Sequence, residues 1–249
     1  MKNIAAFFDI DGTLYREGLI TEVFKKLIRY EIIEPEKWYN EVKPEFDKWD
    51  FREGNYDDYL LKMVYIYIDA IKGLHKSQVE FIAKQVVSKK GSRVYTYSRD
   101  RIKWHKEKGH KLITISGSPL ELVKEMSVKH GFDDYKGAEY LLDSDQIYTG
   151  EVIPMWDRKS KKDAITEFEL KYNIDLSRSY AYGDTAGDLS MFESVGNPIC
   201  INPTKELLSN VLQNEKLKEK IKIIVERKDV IYSLKAEYLN IYGSNTCET

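Results

Sequence analysis

The run Ala5-Ala6-Phe7-Phe8-Asp9-Ile10-Asp11-Gly12-Thr13-Leu14 constrains this chain more than any other stretch. Its apolar half reads as a short buried strand. Gly12 and Thr13 mark the point where the chain turns out of a sheet. In a twisted α/β sheet, ligands and chemistry collect at strand ends. Two carboxylates held there with no lysine or arginine beside them invite a divalent cation. An Asp-x-Asp pair alone also describes a solvated turn, so the reading depends on three more segments of the chain.

Together these segments complete one site. Lys111-Leu112-Ile113-Thr114-Ile115-Ser116-Gly117-Ser118-Pro119 is a second strand ending in a hydroxyl and a glycine. Ser118 suits the N-cap and Pro119 the first turn of a following helix, whose free N–H groups favour an anion. Ser116 is placed to donate to a phosphate oxygen. Ser179-Tyr180-Ala181-Tyr182-Gly183-Asp184-Thr185-Ala186-Gly187-Asp188-Leu189 again runs a short strand into glycine and a carboxylate. Asp184 at such an end is a good ligand for a hard cation. Asp188 fits either a cation site or a helix N-cap. The last segment is the lysine cluster Lys159, Lys161 and Lys162 before a helix. Clustered carboxylates repel unless cations neutralise them, and Lys162, at the helix start, is the chosen candidate.

In this order, Asp9-x-Asp11-Gly12-Thr13, Ser116, Lys162 and Gly183-Asp184 with Asp188 resemble the haloacid dehalogenase (HAD) superfamily of phosphohydrolases. The resemblance runs from about residue 4 to about residue 205. It is closest to the phosphoserine-phosphatase-like branch, which carries a helical cap between the first two motifs. Ser116-Gly117-Ser118-Pro119 and Asn197-Pro198-Ile199-Cys200-Ile201-Asn202-Pro203 match that branch as well. The resemblance implies Asp9 as nucleophile, Asp11 as acid and base, and phosphoryl contacts from Ser116, Lys162, Thr13 and Gly117. It also implies Mg2+ held by Asp9, the Asp11 backbone carbonyl, Asp184 and Asp188.

Composition sets the frame. With 249 residues, 42% hydrophobic and 32% charged, the chain can bury one good core plus a smaller unit. A net charge of −2 gives no reason to invoke nucleic acid or an acidic membrane surface. Cys200 sits in an apolar strand and Cys247 in a polar tail, so both thiols are expected reduced and the protein cytoplasmic. No leader is expected before the first strand, and the stretch Tyr59 to Ile71 is too short and too charged to span a bilayer.

The expected fold is α/β, a doubly wound and mostly parallel sheet with an inserted helical cap. Residues 1–14 and 102–205 form the core, with strands near 4–10, 111–116, 179–183 and 198–202. Helices are expected near 119–130, 162–172 and 188–195, and Tyr135 to Ile153 reads as a hairpin. Residues 15–101 show helical spacing over Thr21–Tyr30, Asp57–Lys72 and Gln78–Lys89, which predicts a separate all-helical insertion; the resemblance makes it the cap, expected to close over the cleft and choose the substrate. Its aromatics, Tyr15, Trp38, Tyr39, Phe46, Trp49, Phe51, Tyr56, Tyr59, Tyr65 and Tyr67, are expected mostly in the cap core, with a few facing the cleft. Residues 206–249 read as a helical extension, with Leu212–Lys222 a solvated helix, Asp229–Leu239 a terminal amphipathic helix and Gly243–Thr249 a frayed tail.

The expected activity is hydrolysis of a small-metabolite phosphomonoester, with phosphomutase, phosphotransferase or a receiver-like phospho-aspartate module as the alternatives. Asp11 favours the phosphatase or mutase. In the phosphoserine branch an acidic residue soon after the first motif meets the substrate amino group; by counting, Gly18 falls there with Glu17 beside it. That branch also has a cap arginine after an acidic-glycine turn, where this chain has Glu53-Gly54 and then Lys62. Both positions depart from the pattern, so the substrate stays unnamed, as does the oligomeric state.

Overall fold

The computed structural model describes residues 2–54 and 56–239, with the side chains of Tyr56 and Asp57 excepted. The expectations for Cys247, for the tail Gly243–Thr249 and for the Tyr56 ring therefore lie outside the described residues. The strands are β1 (Ala5–Phe8), β2 (Lys111–Pro119), β3 (Asp134–Leu142), β4 (Tyr148–Ile153), β5 (Tyr180–Gly183), β6 (Asn197–Ile201), β7 (Lys222–Arg227) and β8 (Val230–Lys235). The helices are α1 (Leu19–Arg29), α2 (Pro35–Lys37), α3 (Lys43–Asp50), α4 (Tyr56–Ile71), α5 (Lys76–Lys90), α6 (Thr96–Glu107), α7 (Leu120–His130), α8 (Arg158–Tyr172), α9 (Leu189–Ser194), α10 (Lys205–Gln213) and α11 (Glu215–Lys220).

One eight-stranded sheet runs in the order β4-β3-β2-β1-β5-β6-β7-β8. Its inner six strands are parallel, and an antiparallel strand closes each edge. The chain winds outward from β1 in one direction through β2 and β3, then in the other through β5 and β6. The junction of β1 and β5 is thus the switch point of the sheet, where the loops after the two strands part and leave a crevice.

The Ala-Ala-Phe-Phe strand explains why both faces are covered. Side chains alternate across a strand, so Ala6 and Phe8 join one apolar cluster while Ala5 and Phe7 join the other. Phe8 stacks on Tyr182 of β5 with centroids 4.0 Å apart. The first cluster includes residues of α1, α4, α5, α6 and α7, and the second those of α8 to α11. The expected cap thus shares its apolar core with one face of the sheet instead of having its own.

Two backbone seams hold the cap in place. Tyr95 N donates to Leu14 O and Arg16 N to Arg93 O. At the far end, Gly73 N donates to Tyr148 O, Tyr148 N to Leu74 O and Lys76 N to Gln146 O, which joins the α4–α5 turn to the β3–β4 hairpin. The boundary expected at residue 101 would cut α6 in half. This helix lies on the sheet: Ser98 Oγ donates to Thr13 O, and His105 meets the Tyr182 hydroxyl.

The C-terminal expectation is overturned. Asp229–Leu239 holds β8, paired antiparallel with β7 over Lys222–Arg227, and then a short 3-10 turn. Val230-Ile231-Tyr232 favours strand over helix, and the positive φ of Lys228, 55°, closes a tight hairpin. The helical stretch before it breaks at Asn214 into α10 and α11. The strand pair of residues 222–235 is therefore part of the sheet. Glu226 of β7 accepts from Thr96 N and Tyr97 N, both at 2.9 Å, and so caps α6. No described helix is long and apolar enough to cross a membrane.

His105 makes the fold pH-sensitive. Burial first, then Arg101 and His110, pushes it down to about 3. In the unfolded chain a histidine titrates near 6.5. Below about pH 6.5 the unfolded state thus takes up a proton that the folded state refuses, and stability falls with pH towards 3. Between pH 7 and pH 5 this one residue should cost about 2 kcal/mol. Denaturant titrations of wild type and His105→Gln should show their stability gap shrinking by that amount over the interval. A gap independent of pH would mean that His105 is protonated in the fold.

Candidate active site

Asp9, Ile10 and Asp11 follow β1 directly, and Asp9 N still pairs with Tyr182 O at 3.0 Å. Ile10 O then accepts from the amides of Thr13, Leu14 and Tyr15, which curls the chain away from the sheet. Gly12 at φ +76° makes that curl possible. A Cβ at Gly12 would sit 2.0 Å from Asp184 Oδ2, so a side chain is also excluded on space. The same holds across the crevice: a Cβ on Gly183 would lie 2.5 Å from the Asp188 side chain, which folds back beneath the loop after β5.

The first motif and the β5 loop meet at one place. Asp9, Asp184 and Asp188 are buried and offer oxygens all within 4.8 Å of one another. Lys161 completes the cluster, with Nζ 2.9 Å from Asp9 Oδ1 and 2.5 Å from Asp188 Oδ1. The lysine expected here was Lys162. It is exposed, because one step along α8 turns the side chain by about 100°. The N-cap of α8 is Asp157, whose carboxylate accepts from Lys159 N and Ser160 N. The helix thus begins four residues earlier than the lysine spacing suggests, and its inward face carries Lys161, Ala164, Ile165 and Phe168.

Charges at the site are shaped by burial. Asp9 is pushed up to about 7, by burial first, with Lys161 opposing and Asp188 and Asp11 adding to the rise. Asp184 is raised well above the carboxylate range by burial and by Asp9 and Asp188. Burial alone would depress Lys161, but Asp188 and Asp9 outweigh it and hold the ammonium above its ordinary range. Asp188 Oδ2 accepts from Asp184 N at 3.0 Å and Thr185 N at 3.1 Å. Its side chain therefore caps the 3-10 turn Ala186–Asp188 and not α9.

Asp11 points elsewhere. Its Oδ1 accepts from Leu19 N at 2.7 Å, and its Oδ2 from the Ser118 hydroxyl. Burial raises this carboxyl, against those two hydrogen bonds and Lys161. Its side chain lies outside the three-aspartate group. Ser118 was expected to cap α7; instead the N-cap is Pro119, without a side-chain hydrogen bond. The β2–β3 register shifts between Ile115 and Pro119. That irregularity releases Ser116, Gly117 and Ser118 from the ladder and turns them into the crevice, a common use of a bulge.

A cleft of about 260 Å³ opens above these groups and is lined at its base by Asp9, Asp11, Ser116, Gly117, Ser118, Lys161, Thr185 and Gly187. Thr13 does not reach it. Fully buried, Thr13 donates from Oγ1 to Asp184 Oδ1 at 2.8 Å and so orients that carboxylate. No cap aromatic faces the cleft among the described residues. Trp38, Phe46, Trp49 and Tyr59 pack on one another, and the wall instead takes Gly18, Ile20, Leu60, Leu61, Val64, Pro119 and Trp156. No short-range motif marks those positions; only the i, i+1, i+4 spacing of Leu60, Leu61 and Val64 could have singled out the α4 face. Glu17 pairs with Arg93 at 2.8 Å and Lys62 with Glu41 at 3.2 Å, both partly exposed and away from the cleft.

An all-carboxylate donor set without histidine or cysteine fits a hard cation such as Mg2+ better than zinc or copper. Buried acids gathered around one lysine, beneath a cleft at the switch point of a doubly wound sheet, define a phosphate-handling hydrolase. The chain belongs to the haloacid dehalogenase-like hydrolases, whose family model matches residues 6–193. Within that family it falls in the phosphoserine-phosphatase-like branch and is a phosphatase. It is similar to the inhibition of morphological differentiation protein of Streptomyces azureus, 28% identical over 85% of this chain and 76% of that one. It is likewise similar to the phosphoserine phosphatase of Methanocaldococcus jannaschii, 28% identical over 94% and 97% of the two chains. The fold is shared with a solved protein of unknown function from Bordetella pertussis Tohama I, with TM-score 0.69, 16% identity, and 87% and 97% covered.

The two lysines separate cleanly by experiment. Lys161→Met should lower phosphatase turnover by at least about 100-fold, whereas Lys162→Met should stay within about twofold of wild type. Circular dichroism on both variants would guard against misfolding. Equal losses would remove Lys161 from the site.

Proposed function

We propose that the protein hydrolyses the phosphomonoester of a small metabolite in two steps, through an aspartyl-phosphate on Asp9. The observation that carries this reading is the pair of aspartates on one loop with opposite surroundings. Asp9 lies against Lys161 and the other acids, while Asp11 is turned away onto Leu19 N and Ser118. Carboxylates with distinct environments suit distinct roles.

Asp9 attacks phosphorus, and the bond from phosphorus to the leaving oxygen breaks as Asp11 delivers a proton to that oxygen. Water then attacks the phosphorus of the aspartyl-phosphate, Asp11 takes its proton, and phosphate departs with Asp9 restored. Ser116 and the Gly117 backbone hold phosphoryl oxygens, and the Lys161 ammonium balances the charge that spreads over them. Asp9, Asp184, Asp188 and the Asp11 carbonyl would hold Mg2+, which supplies charge neutralisation at the phosphoryl group. Thr13 acts one layer out, by fixing Asp184.

Chelation should abolish turnover, and Mg2+ should restore it; full activity in the stripped protein would remove the metal from the reading. Asp9→Asn should form no phospho-enzyme. With an aryl phosphate, whose leaving group departs without a proton, Asp11→Asn should form the adduct and then stall. Rapid-quench detection of acid-stable, base-labile phosphate on the protein distinguishes the two variants. An adduct on Asp9→Asn would reassign the nucleophile.

A further inference from the structure

The wall of the cleft beyond the phosphate end is apolar. Ile20 comes from α1, Leu60, Leu61 and Val64 from one face of α4, Pro119 from the start of α7, and Trp156 from the loop before α8. Among the described residues, the charged side chains on the cleft surface are Asp9, Asp11 and Lys161. The remaining polar groups of the lining side chains are the hydroxyls of Ser116, Ser118 and Thr185 and the indole N–H of Trp156.

The α4 face is informative because it stays apolar where the helix leaves the core. Tyr59, Met63, Ile66 and Tyr67 turn into the buried core, and Leu60 packs partly against it. A helix in that position ordinarily turns polar residues outward. Here Leu61 stays 38% exposed and Leu60 and Val64 half-buried, on the cleft. Trp156 lies against the backbone of Gly117, where a Cβ would come within 2.8 Å of the tryptophan Cβ. The tryptophan is thus part of the built wall, beside the loop that holds Ser116.

From this arrangement we infer that the leaving group of the substrate is a compact, uncharged and mainly apolar alcohol. The inference rests on the phosphatase reading above. Among the described residues of this wall, an ammonium would leave water and find no acceptor side chain, and a carboxylate or polyhydroxyl group would find only the Trp156 indole N–H. A branched alkyl or single-ring group would instead bury apolar surface against Leu60, Leu61, Val64 and Trp156. Size limits the choice further. About 260 Å³ falls just below the span of about 300–1,000 Å³ common for drug-sized ligands, which favours a compact group.

The test uses the full chain with Mg2+ and separates this inference from the reading beneath it. Benzyl phosphate, O-phosphoserine and glycerol 3-phosphate are compared as substrates. Benzylphosphonate and 2-amino-3-phosphonopropionate, which are not hydrolysed, are compared by calorimetry as ligands. Benzyl phosphate should exceed both polar esters in kcat/KM by at least about 100-fold, and benzylphosphonate should bind tighter than the amino acid phosphonate by at least about tenfold. Val64→Asp should narrow both ratios at least about tenfold. Polar esters that match or beat benzyl phosphate, or an amino acid phosphonate that binds as well as benzylphosphonate, would overturn the inference. No turnover of any ester with the binding preference intact would overturn the phosphatase reading and leave the apolar site standing.

Discussion

One buried ammonium makes the centre of this molecule tenable. Lys161 reaches Asp9 and Asp188 at once, in a site with almost no access to water. Three carboxylates closed into such a space without it would repel strongly and lose hydration with no return. Local order follows from this contact. Asp188 is free to hold the amides after β5 with its second oxygen, and Asp184 is free to be oriented by Thr13. Helix α8 is placed by the same pair of bonds, since its one buried cation must meet acids from two strands. A buried charge cluster is a poor source of stability but a strong specifier of geometry, and an active site needs the latter.

Most of this is legible in the sequence because the informative residues lie at strand ends. Asp9, Asp11, Ser116 and Asp184 follow short apolar runs, and strand order in a doubly wound sheet brings those ends together. The choice between Lys161 and Lys162 is not legible in the same way. It depends on helix phase, which is set by a cap at Asp157 that looks like an ordinary surface aspartate. Ser118 misleads for a similar reason. A serine before proline has the look of a cap, and only the shifted β2–β3 register shows that its hydroxyl turns to Asp11 instead.

The largest discrepancy lies after residue 205, where weak alternation hides a strand pair that the β-branched and aromatic residues favour. Strand β7 pairs with β6, and β8 only has to cover an edge, so neither shows a clean two-residue period. The cap boundary differs because α6 continues a helical pattern while belonging to the sheet. Tertiary partners decide that: Ser98 on Thr13 O, His105 on Tyr182 and Glu226 on the first amides of the helix. None of these has a local signature.

The two seams that bind the cap have a mechanical meaning. One fastens it to the turn after β1, the other to the hairpin at the far edge of the sheet, and both use main-chain groups. A segment tied along two edges by main-chain hydrogen bonds is braced against swinging as one rigid body. The part of the cap outside both seams is the run from Glu31 to Gly54, whose rings stack on Tyr59 at the foot of α4. That aromatic stack thus braces the same helix that gives Leu60, Leu61 and Val64 to the cleft wall, so side chains well removed from phosphorus hold the wall in position.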